Sequence, residues 1–209
     1  MGFTGSNGRL YVFGGAEKLL TGSESYRQDL HEYDIVSGTW TDLSTLSTGT
    51  PPSARTSMGF VESNGKLYVF GGYDGSSKND LHEYDTALGA WTDLSWPRAG
   101  TSPSPRHHMG IAEKDRKLFV FGGSYDSGRG DLHEYDIQTG SWRSLQDAYS
   151  DRSFVGFAAS YRKLFAFLPV AVGILPSPPS RYCCCSHQAI SYPWFLCCTR
   201  HAHVDAAYP

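Results

Sequence analysis

The chain has 209 residues, 40% of them apolar and 14% aromatic, which is enough to bury a sizeable core. Its 18 basic and 21 acidic side chains leave a formal charge of −3, so no electrostatic footprint for nucleic acid or an anionic membrane is present. MGFTGSNGRLYVF at the start has neither the charged nor the apolar region of a secretory signal, and the longest apolar run, Leu164 to Leu175, is broken by Pro169 and falls short of the roughly 20 residues of a membrane helix. A cytoplasmic location without membrane or nucleic-acid partners is expected.

In chain order, GRLYVFGG at 8–15 opens a unit that returns as GKLYVFGG at 65–72 and RKLFVFGG at 116–123. Each is followed by DLHEYD and then a spaced Trp, so that Tyr33, Tyr84 and Tyr135 are 51 residues apart, as are Trp40, Trp91 and Trp142. KLYVF is apolar on both alternating faces, which predicts a strand covered on two sides. The doublets Gly14-Gly15, Gly71-Gly72 and Gly122-Gly123 close that strand where a bend or a close neighbour is needed. Asp85 followed by Gly89 predicts a tight turn into the Trp91 strand, and that Trp is suited to fill the seam between adjacent sheets. A fourth strand precedes these three, seen as MGFV at 58–61, MGIA at 109–112 and VGFA at 155–158. A period near 50 with these features predicts radial β architecture.

Gly doublet, Tyr and Trp recurring in fixed order make residues 1–167 resemble a kelch-repeat β-propeller. The resemblance implies an all-β fold of four-stranded blades with the first strand innermost. The expected architecture is an incomplete kelch β-propeller: three recognisable blades, the first lacking most of its inner strand because Met1 aligns inside that strand, plus a partial fourth. The open edges of the first and last blades would invite self-association. Arg152 starts the fourth repeat, which reaches YRKLFAF at 161–167 and then loses its pattern. Residues 168–209, rich in Pro and holding all five cysteines, form a non-repeat tail expected to be poorly ordered. Its adjacent cysteines and lack of C-x-x-C or H-x₃-H spacing argue against zinc, and no metal or other cofactor is expected.

In an up-and-down meander the loops between second and third strands share a rim with the connectors between blades. This rim holds the long and variable loops, AEKLLTGSESYRQ, YDGSSKN and SYDSGRG, and such loops usually carry function. It also holds two columns of cations, Arg55, Arg106 and Arg152 before the inner strands and Arg27, Lys78 and Arg129 before the third strands, with Tyr26, Tyr73 and Tyr125 as aromatic contacts. BTB-kelch substrate adaptors are similar here, and the likeness implies that Arg55, Arg106 and Arg152 line a pocket gripping an acidic peptide. The competing reading pairs them inside the blade with Asp29, Asp80 and Asp131.

His31, His82 and His133 recur in register and read as packing residues, whereas His107-His108 replaces Thr56-Ser57 of the preceding repeat. The expected function is non-catalytic, a scaffold binding a protein or peptide through the loop-rich rim. The alternative is a fragment of a galactose-oxidase-like propeller enzyme or of a metal-dependent specifier protein. No Cys lies within residues 1–167 for the copper chemistry, and the acidic run Glu113-Lys114-Asp115 falls on the wrong rim for the iron site that the specifier resemblance implies.

Overall fold

A computed structural model describes residues 1–20, 22–96, 99–124, 130–145, 156–160, 163–167, 191–192 and 195–197. Three antiparallel four-stranded sheets follow one another along the chain. The first comprises β1 (Gly2–Ser6), β2 (Arg9–Lys18), β3 (Glu24–Asp34) and β4 (Thr39–Asp42); the second β5 (Gly59–Ser63), β6 (Lys66–Tyr73), β7 (Ser77–Asp85) and β8 (Ala90–Asp93); the third β9 (Gly110–Lys114), β10 (Lys117–Phe121), β11 (Leu132–Asp136) and β12 (Ser141–Ser144). Inner strands β1, β5 and β9 lie beside one another, as a radial arrangement of blades requires. Among the described residues there is no helix, and none long and apolar enough to cross a membrane.

The first blade corrects one expectation. β1 pairs with β2 over five residues, Gly2 opposite Phe13 to Ser6 opposite Arg9, just as β5 pairs with β6 from Gly59 to Ser63. Its inner strand is therefore present in full. The strand begins at the Gly after the aligned Met, so Met1 stands at its start and not inside it.

Local chemistry explains the elements. The turn from third to fourth strand is held by an aspartate: Asp34 Oδ1 accepts the N–H groups of Val36 and Ser37, and Asp85 Oδ1 those of Ala87 and Leu88. The Gly doublet breaks the ladder by a register shift between Phe70 and Gly72. Gly71 has φ +60°, and a Cβ there would meet Met109 Cε at 2.5 Å and the carbonyl oxygen of Arg106 at 2.8 Å. The position needs Gly both for its left-handed backbone and for the connector that crosses it.

The core sits in the seams between blades. Tyr11, Phe13 and Leu30 of blade one pack on Phe60, Leu67, Val69, Tyr84 and Trp91 of blade two. Tyr68, Phe70 and Leu81 of blade two pack in the same way on Leu118, Val120, Tyr135 and Trp142 of blade three. Trp91 lies 5.5 Å from the Phe13 ring and 5.0 Å from Tyr84; Trp142 lies 5.3 Å from Phe70 and 5.1 Å from Tyr135. Fully buried Leu67, Val69 and Leu118 each contribute about 1.5–3 kcal/mol by leaving water. Trp40 touches Tyr33 at 5.0 Å yet remains 59% exposed, with no other described blade packed on that face.

The fourth sheet departs from the repeat. β13 (Gly156–Ser160) and β14 (Lys163–Phe167) form the expected hairpin, and Phe157 and Ala166 pack on Phe121. The third place is taken by β16 (Phe195–Cys197), parallel to β14, with β15 (Ser191–Tyr192) on its outer side. In the other blades that place holds an antiparallel strand, so these tail residues join a sheet without restoring the repeat. The rest of 168–209 lies outside the described residues, and with it the expectation of a poorly ordered tail.

Candidate functional site

The connectors between blades build the loop-rich rim. Thr56 exchanges both backbone hydrogen bonds with Tyr73, at 2.9 and 2.8 Å, and His107 does so with Ser124, at 3.0 and 2.9 Å. Each connector thus lies against the loop following the second strand of the blade it leads into, and the predicted grouping of these segments on one rim is what the pairing shows.

This pairing aligns aromatic rings across three blades. Tyr26 meets Tyr73 edge-on at 6.0 Å, Tyr73 meets His107 at 5.3 Å, and His107 meets His108 at 4.7 Å. All four are half-buried. His107 is held at both nitrogens, Nδ1 by Ser77 Oγ at 2.8 Å and Nε2 by Ser124 Oγ at 3.3 Å. Burial lowers the pKa of His107, and burial together with the neighbouring His107 lowers that of His108. Near neutral pH both histidines of the strip are therefore neutral. The signal in the sequence for this strip is the replacement of Thr56-Ser57 by His107-His108 in the following repeat.

The predicted arginine mouth is corrected. Arg55 and Arg106 are 1% and 0% exposed, the bulkiest fully buried side chains described. Arg55 forks onto Asp80 at 2.5 and 2.7 Å and donates to the Gly71 carbonyl at 2.9 Å; Arg106 forks onto Asp131 at 2.6 and 2.7 Å and donates to the Gly122 carbonyl at 2.9 Å. Their backbones belong to the preceding blade: Arg55 N–H donates to the Arg27 carbonyl and Gly15 N–H to the Arg55 carbonyl, and Arg106 repeats this with Lys78 and Gly72. Each is a clamp between blades, its guanidinium spent on its own fold. Burial alone would raise the Asp80 and Asp131 carboxyls, but hydrogen bonds and charge from the arginine and from His82 or His133 hold both well below the usual carboxylate range.

The outer cations are at the rim but paired, Arg27 with Glu17 at 2.6 Å and Lys78 with Asp74 at 3.0 Å. Arg129, Arg152 and Tyr125 lie outside the described residues. His31, His82 and His133 each contact the aspartate two residues before them, at 2.9, 3.1 and 2.8 Å, in line with their reading as structural. Among the described residues no group of three or more His, Cys, Asp or Glu stands close enough to hold a metal ion.

The KLHDC2/KLHL20/DRC7 Kelch-repeats domain matches residues 1–167. Among similar curated proteins, the N-(sulfonatooxy)prop-2-enimidothioate sulfolyase of Thlaspi arvense is 28% identical over 185 residues, 83% of this chain and 52% of that protein. The Kelch domain-containing protein 10 of Homo sapiens is 29% identical over 160 residues, 73% of this chain and 34% of that protein. The leucine-zipper-like transcriptional regulator 1 homolog of Drosophila melanogaster is 30% identical over 125 residues, 56% of this chain and 12% of that protein. The chain spans about half the length of the first of these and less of the others. The matched residues hold the three four-stranded sheets with their Gly doublets and tryptophans, and the chain belongs to the kelch-repeat family.

Proposed function

We propose that the chain is a non-catalytic protein-interaction module that binds its partner through the loop-rich rim, along the strip Tyr26, Tyr73, His107 and His108. The observation that carries this reading is the run of ring contacts at 4.7–6.0 Å across three blades, on a rim formed by variable loops. Rigid aromatic faces with a polar edge supply contact area at low entropic cost, which is why Tyr is enriched where partners bind. With Arg55 and Arg106 committed to Asp80 and Asp131, the strip favours an extended segment offering apolar and hydrogen-bonding side chains over a purely acidic one. The test is capture of partners by wild type, Tyr73→Ala, His107→Ala and, on the opposite rim, Lys114→Ala. Partners lost with the first two variants and kept with the third support the strip; equal capture by all overturns it.

A second reading, enzymatic, is favoured by the likeness to the Thlaspi arvense sulfolyase. Metal analysis of the purified chain separates the two, because stoichiometric bound iron or copper would favour the enzyme.

A further inference from the structure

In each of the three blades a two-residue hairpin turn joins the innermost strand to the second: Asn7-Gly8, Asn64-Gly65 and Asp115-Arg116. All six residues have positive φ, and the first two turns nearly coincide, with Asn7 at 49° and Asn64 at 51°, Gly8 at 76° and Gly65 at 77°. Asn followed by Gly reaches this left-handed pair at little cost. The flanking residues match as well, Ser6 and Arg9 against Ser63 and Lys66, so the two turns are one backbone carrying one dipeptide.

What differs is how each turn is tied down. Gly65 N–H donates to Glu62 Oε1 at 2.7 Å, the Asn64 side-chain amide donates to Ser63 Oγ at 3.3 Å, and the Gly65 carbonyl accepts from the Thr86 hydroxyl at 2.6 Å and the Thr86 N–H at 3.1 Å. Blade three keeps the carboxylate, with Glu113 Oε1 accepting the Arg116 N–H at 3.0 Å. In blade one Gly5 stands in the place of Glu62, and Ile35 in the place of Thr86. One tie remains, Ile35 N–H to the Gly8 carbonyl at 3.2 Å, and neither the Gly8 N–H nor the Asn7 side chain has a hydrogen-bond partner among the described residues. Both residues are exposed.

Asn-Gly is a reactive pair because Gly has no Cβ to shield its nitrogen from the preceding side chain. The Gly nitrogen attacks the Asn Cγ: the N–Cγ bond forms, the Cγ–Nδ2 bond breaks, and the Gly amide proton leaves with Nδ2 as ammonia. Solvent water then opens the succinimide ring, its hydroxyl going to one of the two carbonyl carbons and its proton to the nitrogen. Opening at Cγ gives aspartate, and opening at the main-chain carbonyl gives isoaspartate. Ring closure requires the turn to open locally and the Gly nitrogen to swing toward Cγ and give up its proton. A carboxylate that already accepts this N–H fixes its direction and opposes negative charge developing on the nitrogen. The two bonds from Thr86 hold the same peptide from its other side.

We propose that Asn7 is a site of spontaneous deamidation, and that Glu62 and Thr86 protect the same dipeptide in blade two. The product places a new negative charge on the rim opposite the aromatic strip. Its isoaspartate form also lengthens, by one methylene, the turn that sets the register of β1 on β2. The site is independent of partner binding at the strip, so either reading can fail alone.

The test follows the peptides containing Asn7 and Asn64 by mass spectrometry while the purified full chain is incubated at mildly alkaline pH, in buffer and in guanidinium chloride. In buffer Asn7 should convert about tenfold or more faster than Asn64, the scale of one hydrogen bond to a charged group. In denaturant the two should convert alike, since their flanking residues match. Gly5→Glu should slow Asn7 toward the Asn64 rate, and the position can take a side chain: its backbone is not left-handed, and a Cβ meets the end of Leu10 at 3.3 Å and the Arg9 carbonyl oxygen at 3.5 Å. Glu62→Ala should speed conversion of Asn64. Equal rates in the folded chain, a faster Asn64, a difference that survives in denaturant, or rates that neither substitution moves would each overturn the proposal. Because the wild-type chain carries both turns, misfolding of a variant cannot hide the answer.

Discussion

Arg106 and Asp131, 25 residues apart, meet in a two-bond fork, Nη1 to Oδ1 at 2.6 Å and Nη2 to Oδ2 at 2.7 Å, at the junction of two blades. The arginine is fully buried and hangs by its backbone from one sheet while its side chain is inside the next. Removing it strands a charge, which costs about 3–5 kcal/mol for a buried pair. Arg106→Ala and Arg55→Ala should both lower stability on this scale in denaturant melts, and Arg106→Lys should recover only part because it cannot fork. Arg27→Ala, at an exposed pair, should leave the melt unchanged.

The tryptophans make a graded series from one repeated position. Trp91→Ala should cost about 3–5 kcal/mol, since it empties a seam shared with Phe13 and Tyr84. Trp40→Ala, at the same repeat position but 59% exposed, and Trp96→Ala, 90% exposed, should cost far less. Equal effects at Trp91 and Trp40 in urea melts would contradict the seam assignment.

Acid should weaken the clamps. Asp80 and Asp131 have folded pKa values depressed below the ordinary 3.8, so the stability they confer is fully present above about pH 4 and is lost as the pH falls further through the folded values. Asp34, Asp85 and Asp136 act in the same direction through their turn N–H groups. Unfolding midpoints measured from neutral pH to about pH 2 should therefore fall steeply at the acid end, and the fall should be shallower in Arg106→Ala.

The rim should respond at a different pH. His107 and His108 titrate below the ordinary 6.5 because burial disfavours their charged forms, so the neutral strip persists through neutral pH and takes up protons only as the pH falls past its lowered values. Partner capture should be flat above about pH 6.5 and decline below it, and Tyr73→Ala should be weak at every pH. Capture that rises on acidification would count against a neutral strip.

Much of this was legible in the sequence. The spacing of Tyr84 and Trp91 and the two-faced KLYVF strand sufficed for blade and seam, because hydrophobic periodicity is local and repeats confirm it three times. The fate of Arg55 and Arg106 was not, since one sequence does not say whether an arginine facing a rim turns outward or into its blade. A signal existed: the Arg-to-Asp separation is 25 in both repeats, as a fixed internal partner requires. The length of the first inner strand was misjudged because alignment to Met58 placed Met1 inside a strand that starts one residue later. The rim strip depends on Thr56 pairing with Tyr73 and His107 with Ser124, contacts between connector and loop that carry no periodic pattern.

The path of the connectors fixes where one module ends and the next begins. Thr48 bonds to Gly89 and Trp91 at the outer strand of the following blade, and a Cβ on Gly49 would collide with the Trp91 carbonyl oxygen, so the connector is stitched to the blade ahead of it before Arg55 enters that blade's interior. A cassette excised as Thr48 to Ser95 would carry its own arginine, its own aspartate and its own tryptophan, whereas one excised from Gly59 would leave Asp80 without its counter-charge. Arrays assembled by shuffling these blades should tolerate junctions between Leu43 and Ser47 and fail at junctions between Arg55 and Gly59, which makes the connector, and not the sheet, the heritable unit of the repeat.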